Sequence, residues 1–330
     1  MPRATNKKAR NPVELGADGL PVCPLVRRAQ AAAETQERPL VIAVSSRALF
    51  DLREETGVFE REGADAYMAL QRSRMDQPAV WGAAYPLVKG LLAINEAAGR
   101  EVVRVILASR NDPNSGVRML RTIEAEHLPV RLALFTSGRS VTGYLKAYQA
   151  DLFLSAQPDD VAEASRAGIA AARVIEREAG DYSSLLKDGQ VHIAFDGDQV
   201  IFSGEAEKVY QEDGVDAFHA HEREKAAQPL MPGPFAPFLH AISRWQRQFA
   251  TPPVRTALVT ARAVAAHARA MTTLESWGIR VDEAFFLCGE DKAPILREWG
   301  ATIFFDDSNR HVRSACEVVP TCQVHYESAG

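Results

Sequence analysis

Cysteine is scarce in this 330-residue chain: Cys23, Cys288, Cys316 and Cys322 are the four, and none belongs to a Cys-x-x-Cys pair. That excludes a disulfide-dense secreted scaffold and a paired-thiolate metal site, so the thiols are expected to be reduced. No apolar run is long enough to cross a bilayer. The basic clusters NKKAR and VRRAQ near the start lack the apolar core of a secretion signal. The expectation is a cytoplasmic protein with no membrane partner. Basic charge is not in excess either, since the net charge is −5, and this argues against a nucleic-acid binder. What the chain does have, 46% hydrophobic and 25% charged residues, suffices for globular cores, and its length points to two domains.

Residues 1–37 read as a flexible N-terminal tail. From Arg38 the pattern alternates. LVIAVSS and VVRVILAS read as strands, GVRMLRTIEAEH as a helix, RLALFTSG and ADLFLSA as strands, and VAEASRAGIAAA as a helix. Such alternation indicates an α/β fold with parallel sheets and right-handed crossovers. The order then recurs. A shift of 151 residues lays Gly63, Asp65 and Ala66 on Gly214, Asp216 and Ala217, Gln77-Pro78 on Gln228-Pro229, Gly82 on Gly233, and Pro86 on Pro237. Turn residues match as well as apolar ones, which shared periodicity alone would not produce. The expected architecture is therefore two tandem Rossmann-like units, residues 38–175 and 189–330. The segment at about 204–253 in the second is long enough for a small helical cap.

The repeat fails where chemistry is possible. In VHIAFDGDQVIFS the apolar alternation of Val191, Ile193 and Phe195 breaks at Asp196-Gly197-Asp198, so two carboxylates stand at a strand's carboxyl end, where open α/β sheets bind ligands. One carboxylate there can attack phosphorus, and one two residues on can exchange protons with the leaving oxygen. Thr260 closes the strand TALVT and can bond a phosphoryl oxygen. Lys292, at the mouth of a predicted helix, can neutralise a carboxylate and a phosphoryl group together. ATIFF ends in Asp306-Asp307, and adjacent carboxylates suit Mg²⁺. Four carboxylates converging without a cation would repel one another, so Mg²⁺ belongs to the expected site. In the first half the same positions hold Ser45, Arg47, Val141 and Ser155-Ala156. That half is expected to bind or pack rather than react, with Ser45, Arg47 and Asn111 as candidate contacts to a phosphate or an effector.

The order Asp-x-Asp, Thr, Lys, Asp-Asp resembles haloacid-dehalogenase-like phosphatases. VSSRALFDL, GYLKAY, AFDGDQVIFS, LVTAR and FFDD together resemble the cytosolic 5′-nucleotidase type I family, from roughly Arg38 to Val324. The resemblance implies a haloacid-dehalogenase-like fold, with Asp196 as the nucleophile forming an aspartyl-phosphate, Asp198 as general acid/base, and Thr260 and Lys292 orienting the phosphoryl group. It also implies that Asp196, the Asp198 carbonyl, and Asp306 or Asp307 hold Mg²⁺. Arg262, in LVTAR, joins Ser45, Arg47 and Asn111 as a candidate substrate contact. The implied substrate is a nucleoside 5′-monophosphate, AMP or a deoxynucleotide, and a nucleotide effector and a homo-oligomer are compatible with it. A phosphatase or phosphotransferase for another small ester, or a nucleotide sensor without turnover, would keep much of the same pattern.

Overall fold

The computed structural model describes residues 38–176 and 190–326; the tail 1–37 lies outside the described residues. The chain is α/β and built on a mostly parallel sheet. The described residues form ten strands: β1 Leu40–Val44, β2 Val103–Ser109, β3 Leu132–Phe135, β4 Leu152–Ser155, β5 Ala170–Val174, β6 Val191–Phe195, β7 Val254–Thr260, β8 Glu283–Phe286, β9 Ile303–Asp306 and β10 Thr321–Val324. They form one sheet in the order β3-β2-β1-β4-β5-β10-β9-β6-β7-β8. All described pairings are parallel except β5 with β10, which is antiparallel. Each strand of β1–β5 becomes its counterpart in β6–β10 under the same 151-residue shift: Leu40 falls on Val191 and Val103 on Val254.

The central strands LVIAV and VHIAF are buried throughout, as strands covered on both faces must be. On one face a single core spans both halves. Helix Tyr85–Ala98 reaches β6, and helix Ala236–Gln246 reaches β1. Leu87, Leu91, Phe238 and Ile242 are buried together there. On the other face the halves keep separate cores, one around Ala43, Ile106 and Phe153, the other around Ala194, Val259 and Phe304.

Two local features explain the matched turn residues. Gly63 and Gly214 adopt φ of 87° and 84°, a left-handed kink that glycine takes without strain. At Gly233 a Cβ would stand 2.4 Å from the carbonyl oxygens of Val200 and Phe202, so only glycine lets those backbones meet.

Two expectations need correction. IAAA, expected to continue a helix, instead begins β5: the helix Pro158–Arg166 stops before Gly168, whose φ is 81°. Small alanines then fill strand positions buried on both faces. Within the 204–253 segment, Ala236–Gln246 is a core helix rather than a cover, with Phe238, Leu239 and Ile242 fully buried. Glu205–Glu224 packs against the turn Val264–Ala266 and the helix His267–Ser276.

Candidate active site

The carboxyl ends of β6, β7 and β9 are neighbours, and the chain leaving each carries a polar group. Asp196 follows β6 and is pinned by its N–H to the Phe305 carbonyl, 2.8 Å away. A tight turn follows, in which Gln199 takes φ of 59°. Gly197 lets this turn approach β7, since a Cβ there would stand 3.2 Å from Thr260 Oγ1. Thr260 is buried at the end of β7, and its hydroxyl oxygen accepts from the Arg262 N–H at 3.2 Å. Asp306 ends β9 and is also buried, with one carboxylate oxygen accepting from the Ser308 N–H at 2.8 Å.

Lys292 ties this group together. It is 0% exposed, and its Nζ donates to Asp196 Oδ1 at 2.6 Å and to Asp306 Oδ2 at 2.7 Å. An ammonium so deeply buried requires such partners. Burial alone would discharge it, but the two carboxylates outweigh that and hold its pKa above the ordinary value. Burial likewise opposes charge on Asp306, yet Lys292 keeps that carboxyl below the usual range. Asp196 is pushed upward by burial, against the pull of Lys292. Asp307 is pushed up to about 8, by burial and by the charges of Asp196 and Asp306.

Asp196, Asp306 and Asp307 each offer a ligand atom, all within 4.8 Å of one another. One ammonium faces three carboxylates, so negative charge is left over, and it adds to burial in raising Asp307. Such an oxygen-rich, under-neutralised cluster fits a hard divalent cation.

Asp198 is held differently. Arg262 donates to both of its oxygens, Nε to Oδ2 at 2.8 Å and Nη2 to Oδ1 at 2.6 Å. The third guanidinium nitrogen donates to Glu222, whose other oxygen accepts from Arg269 at 2.8 Å. Arg262 is buried between the rings of Phe202 and Phe218. Arg262, expected as a substrate contact, here has each of its three nitrogens on a protein carboxylate.

Ser45, Arg47 and Asn111 are not brought to this site. Because β5 and β10 are antiparallel, β1–β5 run opposite to β6–β10, and the two sets of carboxyl ends point in opposite directions along the sheet. Five inter-strand steps, about 24 Å, separate β1 from β6. Ser45 caps the short helix Ser46–Leu49 by accepting from the Ala48 N–H, and Arg47 forms a bidentate pair with Glu176. Asn111 donates to Tyr67 at 3.1 Å.

Sequence reasoning missed Glu222, Arg269 and His311, whose Nδ1 lies 3.4 Å from Asp306 Oδ2. For Arg269 a signal existed. The 151-residue shift lays Arg118 on it, and both donate from Nε to the carbonyl of a Gln-Pro pair, Gln77 or Gln228, at 2.9 Å.

A family model for 5′-nucleotidase matches residues 32–330. Cytosolic 5′-nucleotidase 1B of Homo sapiens is 35% identical over 289 residues, which are 84% of this chain and 47% of that protein. The chain thus spans about half the length of that curated relative. Among solved structures, histidinol dehydrogenase from Elizabethkingia anophelis aligns with 96% of this chain and 66% of that chain at 8% identity. Its TM-score of 0.22 is too low to carry any argument about fold.

Proposed function

The chain belongs to the 5′-nucleotidase family, and from that premise we propose that it hydrolyses nucleoside 5′-monophosphates at the Asp196 site, with AMP or a deoxynucleotide as substrate. The observation that carries the reading is Lys292, fully buried between Asp196 and Asp306 with Asp307 beside them. Asp196, Asp306 and Asp307 are the residues that would hold Mg²⁺. When bound, it would supply positive charge against the carboxylates and the phosphoryl oxygens.

Asp196 Oδ attacks phosphorus, the bond to the nucleoside 5′-oxygen breaks, and an aspartyl-phosphate forms. Asp198 gives its proton to the departing oxygen. It then takes one from the water that attacks the same phosphorus, which frees Asp196 and releases phosphate. Lys292 neutralises the nucleophile and the transferred group, while the Thr260 hydroxyl donates to a phosphoryl oxygen. Both Asp198 oxygens now accept from Arg262, so acid–base work calls for Asp198 to turn from that clamp towards the substrate.

We read the two strand sets as units of one duplicated fold, the second catalytic and the first a scaffold that has lost its acids. The kinked helix Glu205–Glu224 is the part of the expected cap that remains a candidate cover, because its Glu222 reaches Arg262 and through it Asp198. The test is phosphate release from a panel of nucleoside monophosphates and sugar phosphates, with and without Mg²⁺. Selective, Mg²⁺-dependent release from nucleotides and its loss in Asp196→Asn are expected. Turnover favouring sugar phosphates would overturn the substrate assignment, and binding without release would make the protein a sensor.

A further inference from the structure

The antiparallel seam between the halves holds a cavity of about 310 Å³, in the lower part of the range of small-ligand pockets. The register explains its position. Ser155 pairs with Arg173, Arg173 with Gln323, and Gln323 with Asp306, so the carboxyl ends of β4 and β9 lie in one row across the sheet. The separate cores on this face leave the middle of the row uncovered, and Arg173 is exposed there. Asp307 of the catalytic cluster and Gln199 of the turn after Asp198 line one part of the cavity; Arg173, Val161, Gln323 and Tyr326 are among the residues that line the rest. The Arg173 guanidinium has no ion pair or hydrogen bond among the described residues. The Tyr326 ring is fixed, because its hydroxyl accepts from the Gly204 N–H at 2.8 Å.

Resting on the nucleotidase reading, we propose that this seam cavity is the nucleoside subsite and that Arg173, from the non-catalytic half, recognises the nucleoside. A nucleotide whose phosphate lies at Asp196 has its 5′-oxygen facing Asp198. The cavity is lined by Gln199, one residue from Asp198, and by Asp307, one residue from Asp306, so a nucleoside attached to that phosphate has the cavity next to it. Two inter-strand steps, about 10 Å, separate the backbone of Arg173 from that of Asp306. Asp307 is the sole carboxylate of the lining, whereas Arg173 and the Gln199 amide supply donors; the Gln323 amide N–H groups donate to Asn309 Oδ1 at 2.8 Å and to the Asp307 carbonyl at 3.4 Å, which leaves its own carbonyl oxygen to accept. Those donors suit the carbonyl and ring-nitrogen acceptors of a base or the oxygens of a ribose. Val161 and the Tyr326 ring supply the apolar wall that a flat heterocycle packs against. The first half then contributes specificity through Arg173, not through Arg47.

The test compares kcat/KM for AMP with that for phenyl phosphate, which has the ester but no nucleoside, on the full chain with Mg²⁺. Arg173→Ala should lower the ratio of AMP to phenyl phosphate at least tenfold. Pro158→Glu, at an exposed lining position in the first turn of its helix, brings a carboxylate to compete for Arg173 and should lower the same ratio. If both variants keep the ratio within twofold of wild type, the subsite assignment is wrong and the nucleotidase reading stands. A wild-type protein with no preference for AMP, including one that hydrolyses neither ester, overturns the nucleotidase reading and the subsite with it.

Discussion

Lys292→Met removes the one cation buried among three carboxylates while preserving most of the side-chain volume. Nζ touches Asp196 and Asp306 at 2.6 and 2.7 Å. At an effective dielectric of ~20 each contact is worth about 6 kcal/mol of Coulomb attraction before desolvation is counted. Desolvating the ammonium and the carboxylates offsets most of that. Deleting one partner from a buried pair nevertheless costs about 3–5 kcal/mol, because the other charge stays buried. Unfolding entropy of ~2 cal/mol/K per residue makes this a fall in Tm of about 5–8 °C for a chain of this size. The measurement is thermal unfolding by circular dichroism in chelator, then with Mg²⁺ added. Mg²⁺ should recover part of the loss, since it supplies the missing charge. Adding Asp306→Asn to the variant should also recover stability, because it removes a carboxylate left without its partner. Turnover should fall by about 10²–10³, the scale of losing one preorganised transition-state contact. A metal-free Lys292→Met protein melting within 1 °C of wild type would refute the electrostatic account of the cluster.

Asp196→Asn should fold as wild type does and release no phosphate, since an amide cannot act as the nucleophile; a variant retaining a tenth of wild-type kcat would exclude Asp196 from that role. Chelation should abolish turnover, as should the double change Asp306→Ala with Asp307→Ala, and full activity in excess chelator would remove the metal from the mechanism. The carboxyls of Asp196 and Asp307 are raised above their unfolded values, so the folded protein holds protons that the unfolded chain has released. Stability of the metal-free protein should therefore decline as pH rises from about 4 to about 8. Melting curves that rise over that window, or a decline unaffected by Mg²⁺, would contradict this. Arg47→Ala breaks a half-exposed pair with Glu176, far from Asp196, and should cost at most about 1 kcal/mol of stability; a KM for AMP raised more than threefold would place Arg47 at the site after all.

The candidate reactive groups were legible because each sits where a local pattern breaks. An apolar alternation ending in Asp-Gly-Asp, or a β-rich run ending in Asp-Asp, locates a strand's carboxyl end without knowledge of its neighbours, and the order of the motifs then implies one crevice. The 151-residue repeat likewise resides in the letters, and the strand ranges of the two halves fall on one another under it. Tertiary structure decided how the halves meet. Pairing β5 with β10 put four strands between β1 and β6, which removed Ser45, Arg47 and Asn111 from the site. The same pairing placed Arg173 beside Gln323, in a row with Asp306. Arg262 looked free for substrate until Asp198 and Glu222, 64 and 40 residues away along the chain, were seen to occupy its guanidinium. Local sequence carries period, turns and caps; which charges from distant segments share a buried volume depends on packing, and no periodicity records it.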